Sequence, residues 1–184
     1  MNLFYILIGA GVLLVVYLIA TYNGFVVLKT RIQEAFSGID VQLKRRADLI
    51  PNLVETVKGY AKHERGVFNE VTKARSALMT AKTPVEKAEA NNMLTGALKS
   101  LFAVAEAYPD LQAAASFAAL QRTLTDVEDH LQNARRYYNA VVRDLNTAIQ
   151  SFPSNLVAGM FGFQPRAFFE LDAAAEREAP AVKF

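Results

Sequence analysis

Residues 45–54 read RRADLIPNLV, and the fold turns on what the chain does at Pro51. A residue that precedes proline is pushed out of the α region. Ile50 is therefore expected to stop a helix arriving through Lys44, Arg45 and Arg46. Pro51 suits the first turn of a new helix, where its missing N–H would have no partner anyway. Asp48 lies just ahead of that turn, placed to accept from free N–H groups and to meet the positive end of the dipole. The expectation is a helical hairpin whose corner, between Arg45 and Val54, is polar and charged.

Toward the N-terminus the character of the chain changes. No charged side chain occurs from Met1 to Leu28, and Leu3 to Ala20 reads LFYILIGAGVLLVVYLIA. As a helix these residues span about 27 Å, close to the hydrocarbon thickness of a bilayer. Residues 1–22 are read as a transmembrane anchor, Leu3 and Ala20 bounding its apolar core. A cleaved signal peptide fits less well, since no Lys or Arg precedes the run and no small-x-small site follows it; a buried core helix is the other reading. Lys29, Arg31, Lys44, Arg45 and Arg46 all follow the span, so the positive-inside rule puts the bulk of the chain in the cytoplasm. Gly9, Ala10 and Gly11 allow close helix approach in lipid, which makes a homo-oligomer an additional expectation.

Beyond the span the apolar period stays helical. Phe25, Leu28, Ile32, Ala35, Ile39 and Leu43 step by three or four residues. A second arm repeats the step from Val54 through Val57, Ala61, Glu64, Phe68, Val71 and Arg75 to Leu78. Thr83, Pro84, Val85 and Glu86 form a capping-box signature that opens a third helix, and the sequence Tyr108-Pro109-Asp110 closes it. A fourth helix is predicted from Phe117 to Phe152, whose apolar residues alternate steps of three and four without a miss. No β pattern competes. The fold class is all-α: an N-terminal transmembrane helix continuing into an antiparallel up-and-down bundle of long helices, residues 23–172. At about 1.5 Å per residue the first arm climbs roughly 40 Å and the second returns. Arg45, Arg46, Asp48, Pro51 and Asn52 are thereby expected to meet Tyr108, Pro109 and Asp110 at a membrane-distal tip. Capping and turn-making account for each of these residues; a partner-binding surface is the alternative.

After Ser151 the chain is apolar but poorly periodic, with Phe152, Phe161, Phe163, Phe168 and Phe169 among glycines and prolines. These membrane-proximal rings either cap the membrane-facing end of the core or, some of them, dip into the interface or a partner. Residues 173–184 are read as a flexible tail.

With these features in place the chain resembles the LemA family of single-span bacterial membrane proteins. The resemblance covers essentially the whole sequence. It rests on the uncharged N-terminal helix, on YNGFVVLKTRIQEAFSGIDVQLKRRADLIPNLVETVKGYAKHE, on the pair Ala74 and Arg75, on AEAYPDLQA, on NARRYYNAVVRDLNTAIQSFP and on FFE near the end. Phe36 stands where the family usually has tryptophan, a ring-for-ring change. The resemblance implies an anchored helical bundle at the bacterial inner (cytoplasmic) membrane. It supplies no biochemical activity.

Little in the chain offers catalytic chemistry. His63 and Glu64 begin HERGV, but Val67 occupies the place of the second histidine of a zinc-protease motif. His63 and His130 read as helix-surface residues, and there is no cysteine, so neither thiolate nor clustered-ligand chemistry is available. No cofactor and no metal are expected. A net charge of +2, with 20 basic residues interleaved with 18 acidic ones, does not fit a nucleic-acid binder. Glu64 and Arg75 fall on an apolar seam, where a bare charge costs several kcal/mol unless paired. About 16 Å apart along one helix, they need partners elsewhere, and Glu128 and Arg135 flank the fourth seam. These buried charges either fix the register of the helices or form a polar core that switches state. The sequence thus describes a non-enzymatic, membrane-anchored scaffold or adaptor, with the lipid bilayer and an unidentified protein as its partners. The alternative is a membrane-remodelling or lipid-contacting protein that uses Phe152 to Phe169.

Overall fold

The computed structural model of the chain describes residues 2–170; the expected tail, 173–184, lies outside the described residues. Among those described there are six helices and no strand: α1 (Asn2–Tyr60), α2 (Arg65–Thr80), α3 (Pro84–Glu106), α4 (Pro109–Ala113), α5 (Ala115–Gln150) and α6 (Ser154–Phe161). The chain is all-α, and its helices divide into two compact units. The first holds residues 2–35 together with Tyr137–Phe168; the second holds Phe36–Arg136 with Phe169 and Glu170.

Pro51 does not break the helix. It lies inside α1, which runs nine residues further to Tyr60, so the corner expected between Arg45 and Val54 is absent. A proline inside a helix costs about 3 kcal/mol, because its ring crowds the carbonyl four residues back and leaves that carbonyl without its N–H donor. The carbonyl here belongs to Ala47. Arg75, on α2, donates its Nε–H to that oxygen at 2.8 Å. Past the proline, Leu53, Val54 and Val57 are buried, each contributing about 1.5–3 kcal/mol. Burial outweighs the proline, and the lost donor is replaced from a neighbouring helix.

The chain turns instead at residues 61–64. The Ala61 N–H still donates to the Val57 carbonyl at 2.9 Å, and the Glu64 N–H reaches only Ala61 at 3.5 Å. Glycines at 59 and 66 bracket this polar turn, and each lowers helix propensity by about 1 kcal/mol relative to alanine. The cap of α3 forms as its sequence predicts: Thr83 Oγ1 accepts from the Glu86 N–H at 3.2 Å while Glu86 Oε2 accepts from the Thr83 N–H at 3.2 Å. Pro109 begins α4, a single turn between α3 and α5. The short links at 61–64 and 81–83 fold α2 back on α1 and α3 back on α2, antiparallel neighbours in the bundle.

In the first unit the chain after α6 is tied to α5. Gly162, at φ 70°, ends α6 in the left-handed region that glycine occupies without strain. Asn146 then clamps Arg166 from both sides, its Nδ2 donating to the Arg166 carbonyl at 2.9 Å and its Oδ1 accepting from the Arg166 N–H at 2.8 Å. The Tyr138 hydroxyl donates to the Ala167 carbonyl at 3.0 Å. Phe163 is thereby held against Phe25, with stacked rings 4.7 Å apart.

If Arg75 stands in for the donor that Pro51 lacks, the two residues must be energetically coupled. Arg75→Ala should cost about 1–3 kcal/mol by orphaning the carbonyl. In a Pro51→Ala background, where the new backbone N–H can serve Ala47, the same change should cost less by about 1 kcal/mol. Denaturant titration of the four detergent-solubilised proteins measures that difference.

Candidate functional site

The side chains that could do chemistry gather in the core of the second unit. Buried positions of α1 recur every seven residues at Ile39, Arg46 and Leu53, and again at Leu43, Ile50 and Val57. Arg46 therefore occupies a core position of a heptad and is only 6 % exposed. Asn91 holds the equivalent place on α3, in the stripe Asn91, Leu94, Leu98, Leu101, Ala105, and is 1 % exposed. On α5, Glu128 and Arg135 are separated by seven residues and both are half-buried.

These four side chains converge. Arg46 Nη1 donates to Asn91 Oδ1 at 2.6 Å and lies 3.1 Å from Glu128 Oε2 as an ion pair. Arg135 Nη1 is 3.9 Å from the other carboxylate oxygen. Two guanidinium groups thus share one carboxylate in a largely water-free setting. Burial pushes the Arg46 guanidinium below its ordinary value; Glu128 opposes that shift and the like charge of Arg135 adds to it. An arginine nevertheless stays protonated in a protein, so the cluster is a fixed arrangement of charge rather than a proton carrier. The Asn91 Nδ2 is buried without an acceptor, a cost of about 1–3 kcal/mol accepted for the bond its oxygen makes.

The other sequence-selected charges sit elsewhere. Arg75 serves the Ala47 carbonyl, and Glu64 is half-buried in the 61–64 turn, outside the charge cluster. Arg45, Asp48, Pro51 and Asn52 are exposed along α1, whereas Arg46 is buried and presents nothing to a partner. Tyr108, Pro109 and Asp110 make the link into α4. They do not form one tip with residues 45–52, because α1 continues about 14 Å past Pro51 before it turns. His63 and His130 are exposed. Among the described residues no group of His, Cys, Asp and Glu could hold a metal ion.

The turn that replaces the expected corner has its own surface. Lys58, Lys62, Arg65, Phe68 and Asn69 line an open concavity where α1 ends and α2 begins. The Lys58 ammonium lies 5.4 Å from the centre of the Phe68 ring, a cation–π distance. The lining carries three cations and no carboxylate. A helix stopping at Ile50 hides this surface in the sequence; the spacing of Lys58, Lys62 and Arg65, four and three residues apart, is its local signal.

A model of the LemA family matches residues 35–184. The chain is 28 % identical over 196 residues to the magnetosome protein MamQ 2 of Paramagnetospirillum magneticum, covering 90 % of this chain and 72 % of that one. It is 26 % identical to the magnetosome protein MamQ of Magnetospirillum gryphiswaldense, with 86 % and 68 % covered. To the LemA protein of Metamycoplasma hominis it is 28 % identical over 146 residues, with 77 % and 65 % covered.

Removing the shared carboxylate should destabilise the second unit. With nearly a third of the Glu128 side chain exposed, Glu128→Gln should cost about 2 kcal/mol, below the loss expected of a fully buried pair. A cycle with Arg46→Met should give a coupling of about 1 kcal/mol or more in denaturant midpoints. A coupling near zero would mean that Asn91 alone holds Arg46.

Proposed function

The chain belongs to the LemA family and is a membrane-associated helical protein, and on that footing we propose that it is a single-pass adaptor that docks an acidic segment of a partner protein. The carrying observation is the concavity of Lys58, Lys62, Arg65, Phe68 and Asn69. It combines positive charge with an aromatic floor, the features that recognise carboxylates flanked by apolar side chains.

Two further observations support the reading. The N-terminal part of α1 has a mean hydropathy of 2.7 over its most apolar window, and none of that window is buried against the rest of the protein. Leu3, Leu7, Leu13, Leu14 and Ile19 all stand exposed, as side chains destined for lipid do. The strongest buried charges are engaged with one another and with Asn91 between α1, α3 and α5, which leaves the exposed cations of the concavity as the charges available to a partner. The basic residues from Lys29 to Arg46 favour a cytoplasmic orientation at the inner membrane.

Charge reversal tests this reading. A photo-crosslinker in place of Asn69 should capture a defined partner in cells, and Lys62→Glu with Arg65→Glu should abolish that adduct while membrane fractionation and thermal melting stay unchanged. A crosslinker at Asn52, on the exposed flank of α1, should capture nothing comparable. Persistence of the Asn69 adduct after charge reversal would count against an acidic partner.

A further inference from the structure

Helix α6, SNLVAGMF, is apolar on both sides. Val157 and Ala158 are buried in the first unit. At 100° per residue the opposite side carries Leu156 and Met160, one turn apart, and Phe152 stands exposed in the link just before the helix. Their exposures are 58 %, 69 % and 80 %. A helix that is hydrophobic all round belongs in a protein interior or in a membrane, and among the described residues nothing covers one side of α6.

The occupant is indicated by what α6 is fastened to. Phe161, its last residue, packs edge-on against Tyr22 with ring centres 4.8 Å apart, and Phe163 packs against both Tyr22 and Phe25. Tyr22 is two residues beyond Ala20, the end of the apolar run, about 3 Å along the helix axis. That is the level of the aromatic belt, where tyrosine marks the boundary between acyl chains and headgroups. The chain around α6 also suits an anionic surface. From residue 145 to 169 there is no aspartate or glutamate, and the one charged side chain is Arg166.

We propose that Phe152, Leu156 and Met160 insert into the headgroup–acyl boundary of the same bilayer that α1 spans, making α6 a second, interfacial membrane contact. The inference rests on α1 being a membrane anchor and goes beyond it. The stripe would lie about 5–10 Å into the boundary, the depth of interfacial amphipathic helices.

The chain contains no cysteine, so single cysteines in the full-length protein can carry an environment-sensitive fluorophore after reconstitution into phosphatidylethanolamine–phosphatidylglycerol vesicles. With Met160→Cys or Leu156→Cys the label should lose most of its emission to lipids brominated high on the acyl chain and resist aqueous iodide. Glu89→Cys, at an exposed position of the second unit, should show the reverse. Val12→Cys, within the span, should be quenched by lipids brominated deep in the chain. A quenched Val12 label beside an iodide-accessible Met160 label overturns the proposal and leaves the anchor standing. An unquenched Val12 label removes the anchor and the proposal together. A Met160 label shielded from iodide yet untouched by brominated lipid would mean that a second copy covers the stripe, and that too overturns it.

Discussion

The hydrogen bond from Arg75 Nε to the Ala47 carbonyl meets the constraint on which the second unit depends. Pro51 removes one donor from the α1 ladder, and a buried carbonyl with no partner would be a point of weakness between two halves of a long helix. Because α2 supplies that donor, α1 carries Leu53, Val54 and Val57 into the core and postpones its turn to residues 61–64. The basic concavity exists only because of this postponement. Had the chain turned at Ile50, Lys58, Lys62 and Arg65 would lie along a returning helix, with no facing helix end to make them concave.

A second polar device acts in the same unit. Arg46, Asn91, Glu128 and Arg135 occupy heptad-spaced positions that apolar residues hold elsewhere on the same helices. Well-packed aliphatic side chains would commonly be as stable or more so, so net stability is a poor explanation for the cluster. Register is a better one. A one-heptad slip of α1 would bring Ile39 or Leu53 to the carboxylate of Glu128 and leave Arg46 facing apolar surface, a cost of several kcal/mol. The apolar heptads alone penalise that slip weakly, since Ile39, Leu53 and their neighbours are near-equivalent in volume.

Much of this was legible in the sequence, for reasons that differ by element. The apolar N-terminal helix, the capping box at Thr83 and the periodicity of α5 are local signals, and local signals survive folding. Pro51 misled because its helix-breaking preference, about 3 kcal/mol, is smaller than the burial available beyond it. That one misplacement hid the rest. With α1 stopped at Ile50, the seven-residue row through Ile39, Arg46 and Leu53 is cut, which places Arg46 at a surface tip and Glu64 in the core. Asn91 was overlooked because the neighbouring stripe at Ala90 and Leu94 satisfied the period equally well. The segment after Ser151 read as irregular because α6 is only eight residues long and apolar on both sides, so it lacks the polar face that makes a helix visible as a period.

The energetics of α6 bear on what an interfacial contact would do. If α1 spans the bilayer, it inserts in an effectively irreversible way, so three more apolar side chains, at about 1.5–3 kcal/mol each, would barely change how long the protein stays in the membrane. A lone helix, however, is free to rotate about its axis and to tilt over a range of angles. A second contact fastened to Tyr22 and Phe25 removes that freedom for the first unit, because rotation of α1 would drag Phe152, Leu156 and Met160 into water. The consequence expected of such a contact is therefore orientation rather than residence: it would fix which side of the first unit faces the bilayer and which faces the aqueous phase.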